Sequence, residues 1–227
     1  MKYRLFFSIL LISNTALAQT WDLASDFATA NQNGSVWELG YFSGTNSFNQ
    51  FTVYSNNLST SALLPTWWTG VAGNWPAGAE ILLNNTSNSA YGISPNNVSL
   101  ESDYGIPVAQ FIAPYTSSYN IDIQIGGTTA YQNGGFGNYN ANLAGLLINS
   151  NSISGTFNNN IASWVLNDVQ LSQGETIDLF VGQRLEGGNT NTQFTVQSAA
   201  VPVPNAAWLF VSSLLGILTL KNRSYRV

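Results

Sequence analysis

The sequence predicts an all-β protein built as an antiparallel β-sandwich. Residues 119–125 alternate apolar Tyr and Ile with polar Asn, Asp and Gln, which is the period-two pattern of a strand with one buried face. The same pattern recurs at residues 176–181. Turn-forming pairs such as Gly126-Gly127 separate short apolar segments, and no helical apolar period occurs before residue 206. Short strands at this spacing, without crossover helices, favour antiparallel pairing.

Further strands are predicted where β-branched and aromatic residues cluster between turn formers. In chain order they cover residues 36–42, 50–54, 80–83, 98–101, 108–113, 146–149, 163–171 and 193–197. Three tryptophans, Trp21, Trp37 and Trp164, lie in or beside these apolar patterns, so we predict that they belong to the core.

The first 18 residues have the organisation of a secretory signal peptide. A positively charged start, Met1-Lys-Tyr-Arg4, precedes an apolar stretch at residues 5–12 and the small residues of Thr15-Ala-Leu-Ala18. This order predicts export and cleavage before Gln19, and it disfavours a buried N-terminal helix. Residues 19–200 then form the β-sandwich domain, which is long enough for one core.

The C-terminus carries a second targeting pattern at residues 201–227. It begins with a proline-containing motif made of Val201, Pro202, Val203 and Pro204. An apolar run follows at residues 206–220, and a basic tail ends the chain. Proline breaks regular structure, the apolar run partitions into lipid, and the basic tail resists translocation. We therefore predict a transmembrane helix at residues 206–220 inside a sorting signal; the alternative is an ordinary C-terminal anchor.

This segment resembles the PEP-CTERM sorting domain of Gram-negative bacteria, in particular the variant that begins Val-Pro-Leu-Pro-Ala. The similarity rests on the small residues after Pro204, the Trp208-Leu-Phe block and the Ser-Leu-Leu-Gly core that follows it. The resemblance implies transient insertion in the inner membrane and cleavage near the proline motif by an exosortase-like enzyme. It also implies delivery to the cell surface or the extracellular exopolysaccharide matrix.

A second resemblance covers residues 106–182. The segments 108–119, 145–149 and 169–182 follow one another as in secreted bacterial lectin-like or carbohydrate-binding jelly rolls. This resemblance implies a jelly-roll sandwich, a glycan ligand and a structural calcium ion. Asn149-Ser150 stands where those proteins have Asn-Gly, so we expect a wider hairpin at that point.

Composition limits the chemistry of the exported domain. All 11 acidic residues but only one of the six basic residues, Arg184, lie in residues 19–200, which gives this segment a net charge of about −10 and disfavours nucleic acid as a partner. The chain has neither Cys nor His, which excludes disulfides and Ser–His–Asp or Cys–His catalysis. Any metal must use oxygen ligands, which favours calcium. Asp22 and Asp26 are the candidate ligands, although both also fit turn positions.

The candidate ligand-binding residues are Trp67, Trp68 and Trp75, in a Pro-, Gly- and Asn-rich segment that we predict to be a loop at residues 65–78. Exposed aromatic rings stack on the apolar faces of sugars while neighbouring polar groups bind hydroxyls. The alternative is that these tryptophans cover one end of the sandwich.

Catalysis is not expected. Glu101-Ser-Asp103 starts the carboxylate pattern of jelly-roll glycosidases, but Ile106 occupies its third acidic position. The sequence therefore predicts an exported, non-catalytic β-sandwich that binds glycan or organises the matrix. The alternatives are a purely structural envelope or biofilm protein without a ligand site and, less favoured, a glycan-active enzyme.

Overall fold

The computed structural model describes residues 18–43, 47–55, 64–68, 79–90, 92–101, 105–127, 144–158, 161–182 and 189–200. Gln19–Ala199 group into one compact unit. The predicted signal peptide, except Ala18, and the predicted sorting signal lie outside the described residues. Within the described part, no helix is long and apolar enough to span a membrane, and the predicted helix at residues 206–220 lies outside it.

Strands are the main regular structure of the described residues. They are β1 (Thr20–Asp22), β2 (Trp37–Ser43), β3 (Ser47–Gln50), β4 (Val53–Ser55), β5 (Thr66–Trp68), β6 (Glu80–Leu83), β7 (Val98–Glu101), β8 (Ile106–Ile112), β9 (Ser117–Gly127), β10 (Ala144–Ile148), β11 (Asn151–Ile153), β12 (Thr156–Asn158), β13 (Ile161–Leu171), β14 (Thr176–Val181) and β15 (Thr190–Ser198). One short helix, α1 (Leu23–Asp26), follows β1 and continues into a 3-10 turn at Phe27–Thr29.

These strands form two antiparallel sheets. The large sheet has the order β12-β13-β9-β15-β7-β6-β5-β4, with β1 also paired to β15. The small sheet has the order β11-β10-β14-β8-β2-β3. One hydrophobic core includes Ile121 and Ile123 of the large sheet together with Leu39 and Phe111 of the small sheet. The predicted antiparallel sandwich is therefore confirmed.

The alternation of apolar and polar residues determines which side of each strand joins this core. On β9, Tyr119, Ile121, Ile123 and Ile125 are buried, whereas Asn120, Asp122 and Gln124 are exposed. The predicted core positions of Trp21, Trp37 and Trp164 are confirmed, since all three are buried. Their rings join an aromatic network in which Trp37 packs edge-on against Phe111 and Phe194.

Two predicted features differ in the structure. The strand predicted at residues 50–54 is interrupted, because the chain leaves β3 after Gln50 and enters β4 only at Val53. Between them, the buried Phe51 donates its N–H to the Leu39 carbonyl, 2.9 Å away, and so occupies the core instead of extending a strand. The wider hairpin expected at Asn149-Ser150 is also wrong: Ile148 pairs with Asn151, and both turn residues have positive φ, as in a two-residue turn.

The two ends of the domain lie side by side. β1 pairs with β15, with Thr20 opposite Gln197. Beyond this ladder, the Ser198 N–H donates to the Gln19 carbonyl at 2.9 Å, and the Gln19 N–H donates to Ser198 Oγ at 3.1 Å. The residue that follows the predicted cleavage site is therefore hydrogen-bonded to the last strand of the domain.

Candidate functional site

The loop predicted to display Trp67 and Trp68 is in part a strand. Both residues belong to β5, which pairs with β4 and β6, so their side chains point to opposite sides of the sheet. Trp67 faces the core and is 7% exposed; its Nε1–H donates to the Phe27 carbonyl at 3.0 Å and its ring packs on Tyr54. Trp67 therefore packs against the sandwich, as in the alternative in which these tryptophans cover one of its ends. At 7% exposure it has no free ring face for a sugar.

Trp68 points away from the core and is partly exposed. It lies opposite Val53 on one side and Glu80 on the other. Its Nε1–H is buried, and among the described residues it has no hydrogen-bond partner. Glu80 in turn lies directly opposite Glu101, which puts two carboxylates on the same side of the sheet as this indole. Trp75 lies outside the described residues.

The candidate calcium ligands already bind protein groups. Asp22 caps α1 by accepting the Ser25 N–H at 2.9 Å, and its second oxygen accepts the Thr195 hydroxyl at 3.2 Å. Asp26 accepts the Trp37 Nε1–H at 3.0 Å. Within the described part of the chain, no three acidic residues group closely enough to hold a metal ion. Both aspartates thus have structural roles, and calcium binding remains a prediction.

A different polar site lies on the outer face of the small sheet, the face turned away from the core. There, Asp178 of β14 is paired in register with Gln110 of β8. The Gln110 Nε2–H donates to Asp178 Oδ1 at 2.7 Å. Asp178 is 5% exposed and Gln110 9% exposed, so two polar side chains are almost completely removed from water on a face that is normally solvated.

Burial raises the pKa of the Asp178 carboxyl above its ordinary value, and the hydrogen bond from Gln110 partly opposes this effect. A carboxylate has about four acceptor sites, and the described residues supply one donor to it, Gln110. The described residues therefore leave the charged form of Asp178 poorly satisfied. A ligand hydroxyl or amine that donates to Asp178 would stabilise it.

An apolar cluster lies on the same face of the sheet as this pair. Phe42, Val108 and Leu147 are buried on the same outer face, and Phe48, Ile106 and Phe180 pack against them with partial exposure. Phe180 lies two residues from Asp178 on β14, so the two side chains are on one side of the strand, about 7 Å apart along it. The Phe42 and Phe180 rings meet edge to face at 5.7 Å.

Two glycines allow the phenyl rings to lie close to the sheet. A Cβ atom on Gly145, the register partner of Phe180, would approach that ring to 2.2 Å. A Cβ atom on Gly40 would approach the Asn49 carbonyl to 2.2 Å and the Phe48 ring to 2.8 Å. The rings therefore lie close to the glycine backbone, and the Phe180 side chain remains partly exposed.

Glu38 of β2 extends the polar row, because it pairs in register with Gln110. Its Cα lies about 10 Å from that of Asp178, since β8 runs between the two strands. We refer to Glu38, Gln110, Asp178 and Phe180 as the outer-face site. It combines two acidic groups and an amide, which bind hydroxyls, with an aromatic ring, which binds the apolar face of a sugar.

Sequence reasoning missed this site, although one signal was present. In β14 the side opposite the core carries Asp178 and the large apolar Phe180, so that side is not simply polar. An aromatic residue on a side predicted to face water indicates that something covers or contacts it. Comparisons of the chain with family models, with curated proteins and with solved structures found no match.

Proposed function

We propose that this protein is an exported, non-catalytic β-sandwich that binds polysaccharide through the outer-face site. The two terminal motifs support export and sorting to the cell surface or matrix by an exosortase-like enzyme. The order of strands along the chain supports a jelly-roll-like arrangement, because the chain crosses repeatedly from one sheet to the other. The large sheet contains β9, β13 and β15, and the small sheet contains β10 and β14.

One observation carries the binding proposal: the Asp178–Gln110 pair is buried on an outer face beside the Phe180 ring. A carboxylate removed from water costs stability unless donors satisfy it. The described residues supply one donor, Gln110, and a ligand would supply further donors. A pyranose offers both hydroxyl donors and a C–H face that stacks on an aromatic ring.

The negative charge of the protein limits which polysaccharides could bind at the outer-face site. Asp178 and Glu38 are both acidic, and residues 19–200 carry about ten more negative than positive charges. A uronate polymer would bring further carboxylates next to these groups and be repelled. We therefore infer that the ligand is a neutral or amino-bearing polysaccharide.

The binding proposal is tested on the purified domain, residues 19–200, with a glycan array followed by calorimetry on the best ligand. Asp178→Ala should weaken binding about 10-fold to 100-fold, the range expected for a hydrogen bond to a charged group. Phe180→Ala should weaken binding about 10-fold, using the magnitude of aromatic contacts. Gln124→Ala on β9 is the matched control, because Gln124 is exposed on the outer face of the large sheet; it should leave affinity unchanged.

The outcomes separate the alternatives. Loss of binding in both site variants with a folded control supports the proposal. Absence of binding to every glycan, with a folded domain, favours a structural envelope or biofilm protein. Binding that survives both substitutions but is lost in Trp68→Ala would move the site to the large sheet.

A second candidate function is a glycan-active enzyme, and the facing glutamates favour it. Residues directly opposite in an antiparallel pair have Cβ atoms about 5 Å apart, and Glu80 and Glu101 are such a pair beside Trp68. Cβ atoms at this distance allow the two carboxyl groups to lie about 5 Å apart, which is the separation of the acid and the nucleophile in retaining glycosidases. Release of reducing ends from a bound polysaccharide, abolished by Glu80→Gln and by Glu101→Gln, would establish this function; product release that both variants retain would exclude this pair.

The sorting proposal has its own test. Mass spectrometry of the protein from the host surface should show a C-terminus near Pro204. Recovery of protein that still ends at Val227 would contradict cleavage and favour an ordinary C-terminal membrane anchor.

A further inference from the structure

We propose that Gln19 becomes a pyroglutamate residue at the N-terminus of the exported protein. This modification rests on one part of the proposed function, namely export with cleavage before Gln19. Cyclisation involves the side chain of the new terminal residue, which no targeting motif specifies.

The structure leaves the Gln19 side chain free to react. Gln19 is exposed, and its hydrogen bonds to Ser198 involve its backbone and not its side chain. The carbonyl accepts from Ser198 N at 2.9 Å, and the N–H donates to Ser198 Oγ at 3.1 Å. It borders a surface depression of about 330 Å³ that Trp21 and Pro114 also line. The side chain therefore has room to fold back towards its own backbone nitrogen.

The reaction needs no second reactant. Cleavage of the Ala18–Gln19 bond leaves a free α-amine, whose pKa of about 7.7–8.0 gives a substantial neutral fraction near neutral pH. The lone pair of this amine attacks the side-chain carbonyl carbon Cδ, a new N–Cδ bond closes a five-membered lactam, and the Cδ–Nε2 bond breaks. The Nε2 group leaves as ammonia after it takes up the proton lost from the attacking amine.

The fold tolerates this change. The β1–β15 ladder begins at Thr20, so ring closure at Gln19 breaks none of its backbone pairs. The Gln19 carbonyl keeps its bond from Ser198 N, because the carbonyl carbon takes no part in the reaction. Ser198 Oγ also accepts from the Tyr115 hydroxyl at 2.8 Å, so this oxygen stays hydrogen-bonded if the bond from the amine is lost.

Cyclisation would change the terminus in two measurable ways. It removes the positive charge of the α-ammonium, and it removes the free amine that aminopeptidases and Edman chemistry require. The exported protein would consequently begin with a neutral, blocked residue directly at the edge of the large sheet.

The test is N-terminal peptide mass spectrometry on the full chain expressed with its own signal in a Gram-negative host and recovered after export. We expect most chains to begin at Gln19 with the mass lowered by one ammonia, and to resist Edman degradation until pyroglutamyl peptidase removes the first residue. Gln19→Ala is the matched control and should give a free, sequenceable amine at the same position.

Two results would overturn the proposal. An unblocked Gln19 that retains its ammonia would refute cyclisation while leaving the predicted cleavage intact. A chain that begins at another residue would refute both cyclisation and the predicted cleavage site.

Discussion

The outer faces of the two sheets differ in a way that their inner faces do not. On the large sheet, the outer side of β9 carries Asn120, Asp122 and Gln124, all exposed, and Val165 on neighbouring β13 is 66% exposed. On the small sheet, the outer side buries Val108 completely and Asp178 almost completely. Two valines in central strands thus have opposite environments, although both face away from the main core.

The difference shows that one face of the small sheet supports a second apolar cluster. On the large sheet, polar outer residues keep the strand surface solvated, as in most antiparallel sheets. On the small sheet, the phenyl rings of Phe48 and Phe180 lie close to glycine backbone, and together with Phe42 they form an apolar cluster with Val108. Asp178 lies on the same face as this cluster and is 5% exposed. This is why Asp178, unlike Asp122, is a candidate for a functional role.

The largest expected effect comes from a glycine beneath these rings. Gly40→Ala would drive a methyl group into the Asn49 carbonyl and the Phe48 ring, and we expect it to lower the free energy of unfolding by about 3 kcal/mol. Urea denaturation measures this change. Ser163→Ala, on the outer face of the large sheet, is the control and should stay within about 0.5 kcal/mol. Equal effects would mean that the two outer faces do not differ.

The two valines provide a matched comparison. Val108→Thr places a hydroxyl in the buried cluster and should cost about 2 kcal/mol, since a buried hydroxyl without a partner is unfavourable. Val165→Thr makes the same chemical change at an exposed position and should cost less than about 0.5 kcal/mol. Thermal unfolding of both variants checks this prediction, and a Val108→Thr protein as stable as the parent would argue against the second cluster.

Removing the donor to the buried carboxylate should have a somewhat smaller effect. Gln110→Ala leaves Asp178 without its hydrogen bond from Nε2, and we expect a loss of about 1–2 kcal/mol. Gln124→Ala removes an exposed glutamine of the same size and should be nearly neutral. If Gln110→Ala is neutral too, Asp178 is better hydrated than its burial indicates.

The smallest effect is a change in pH dependence. Because burial raises the pKa of Asp178, the folded state holds this proton more tightly, so its contribution to stability is complete below the unfolded pKa and is lost as pH rises through the folded pKa. Asp178→Asn keeps an acceptor for Gln110 but cannot ionise. The variant should therefore gain stability relative to the parent as pH rises from about 3.

Chemical denaturation across this pH range measures the difference between the two proteins. Asp122→Asn, at an exposed position on β9, is the control. A difference between Asp178→Asn and the parent that stays constant with pH would contradict the burial of this carboxyl.

Much of the fold was predictable because the relevant signals are local. The alternation at residues 119–125 specified the buried side of β9, and Glu80–Leu83, Val98–Glu101 and Thr176–Val181 begin and end as predicted. The prediction of a loop at Trp67 and Trp68 was wrong for a physical reason. Their strand is three residues long, too short to show an alternation, and it is surrounded by loop-forming residues.

The candidate site was less predictable because it depends on contacts between distant residues. Gln110 and Asp178 are 68 positions apart, and each looks like an ordinary solvent-facing residue of an alternating strand. Their meeting depends on the order β14-β8-β2 in the small sheet and on the register between those strands.

The sequence by itself determined the class of fold, the buried sides of β9 and β14 and the exclusion of catalysis by histidine or cysteine. These follow from residue type and from a two-residue period, which each strand carries within itself. Only the tertiary structure decided that Trp67 is in the core, that Gln19 pairs with Ser198, and that Asp178 is buried on an outer face. The physical reason is that burial of an outer-face residue depends on side chains from neighbouring strands, and the free energy that selects those neighbours belongs to the packed sandwich as a whole.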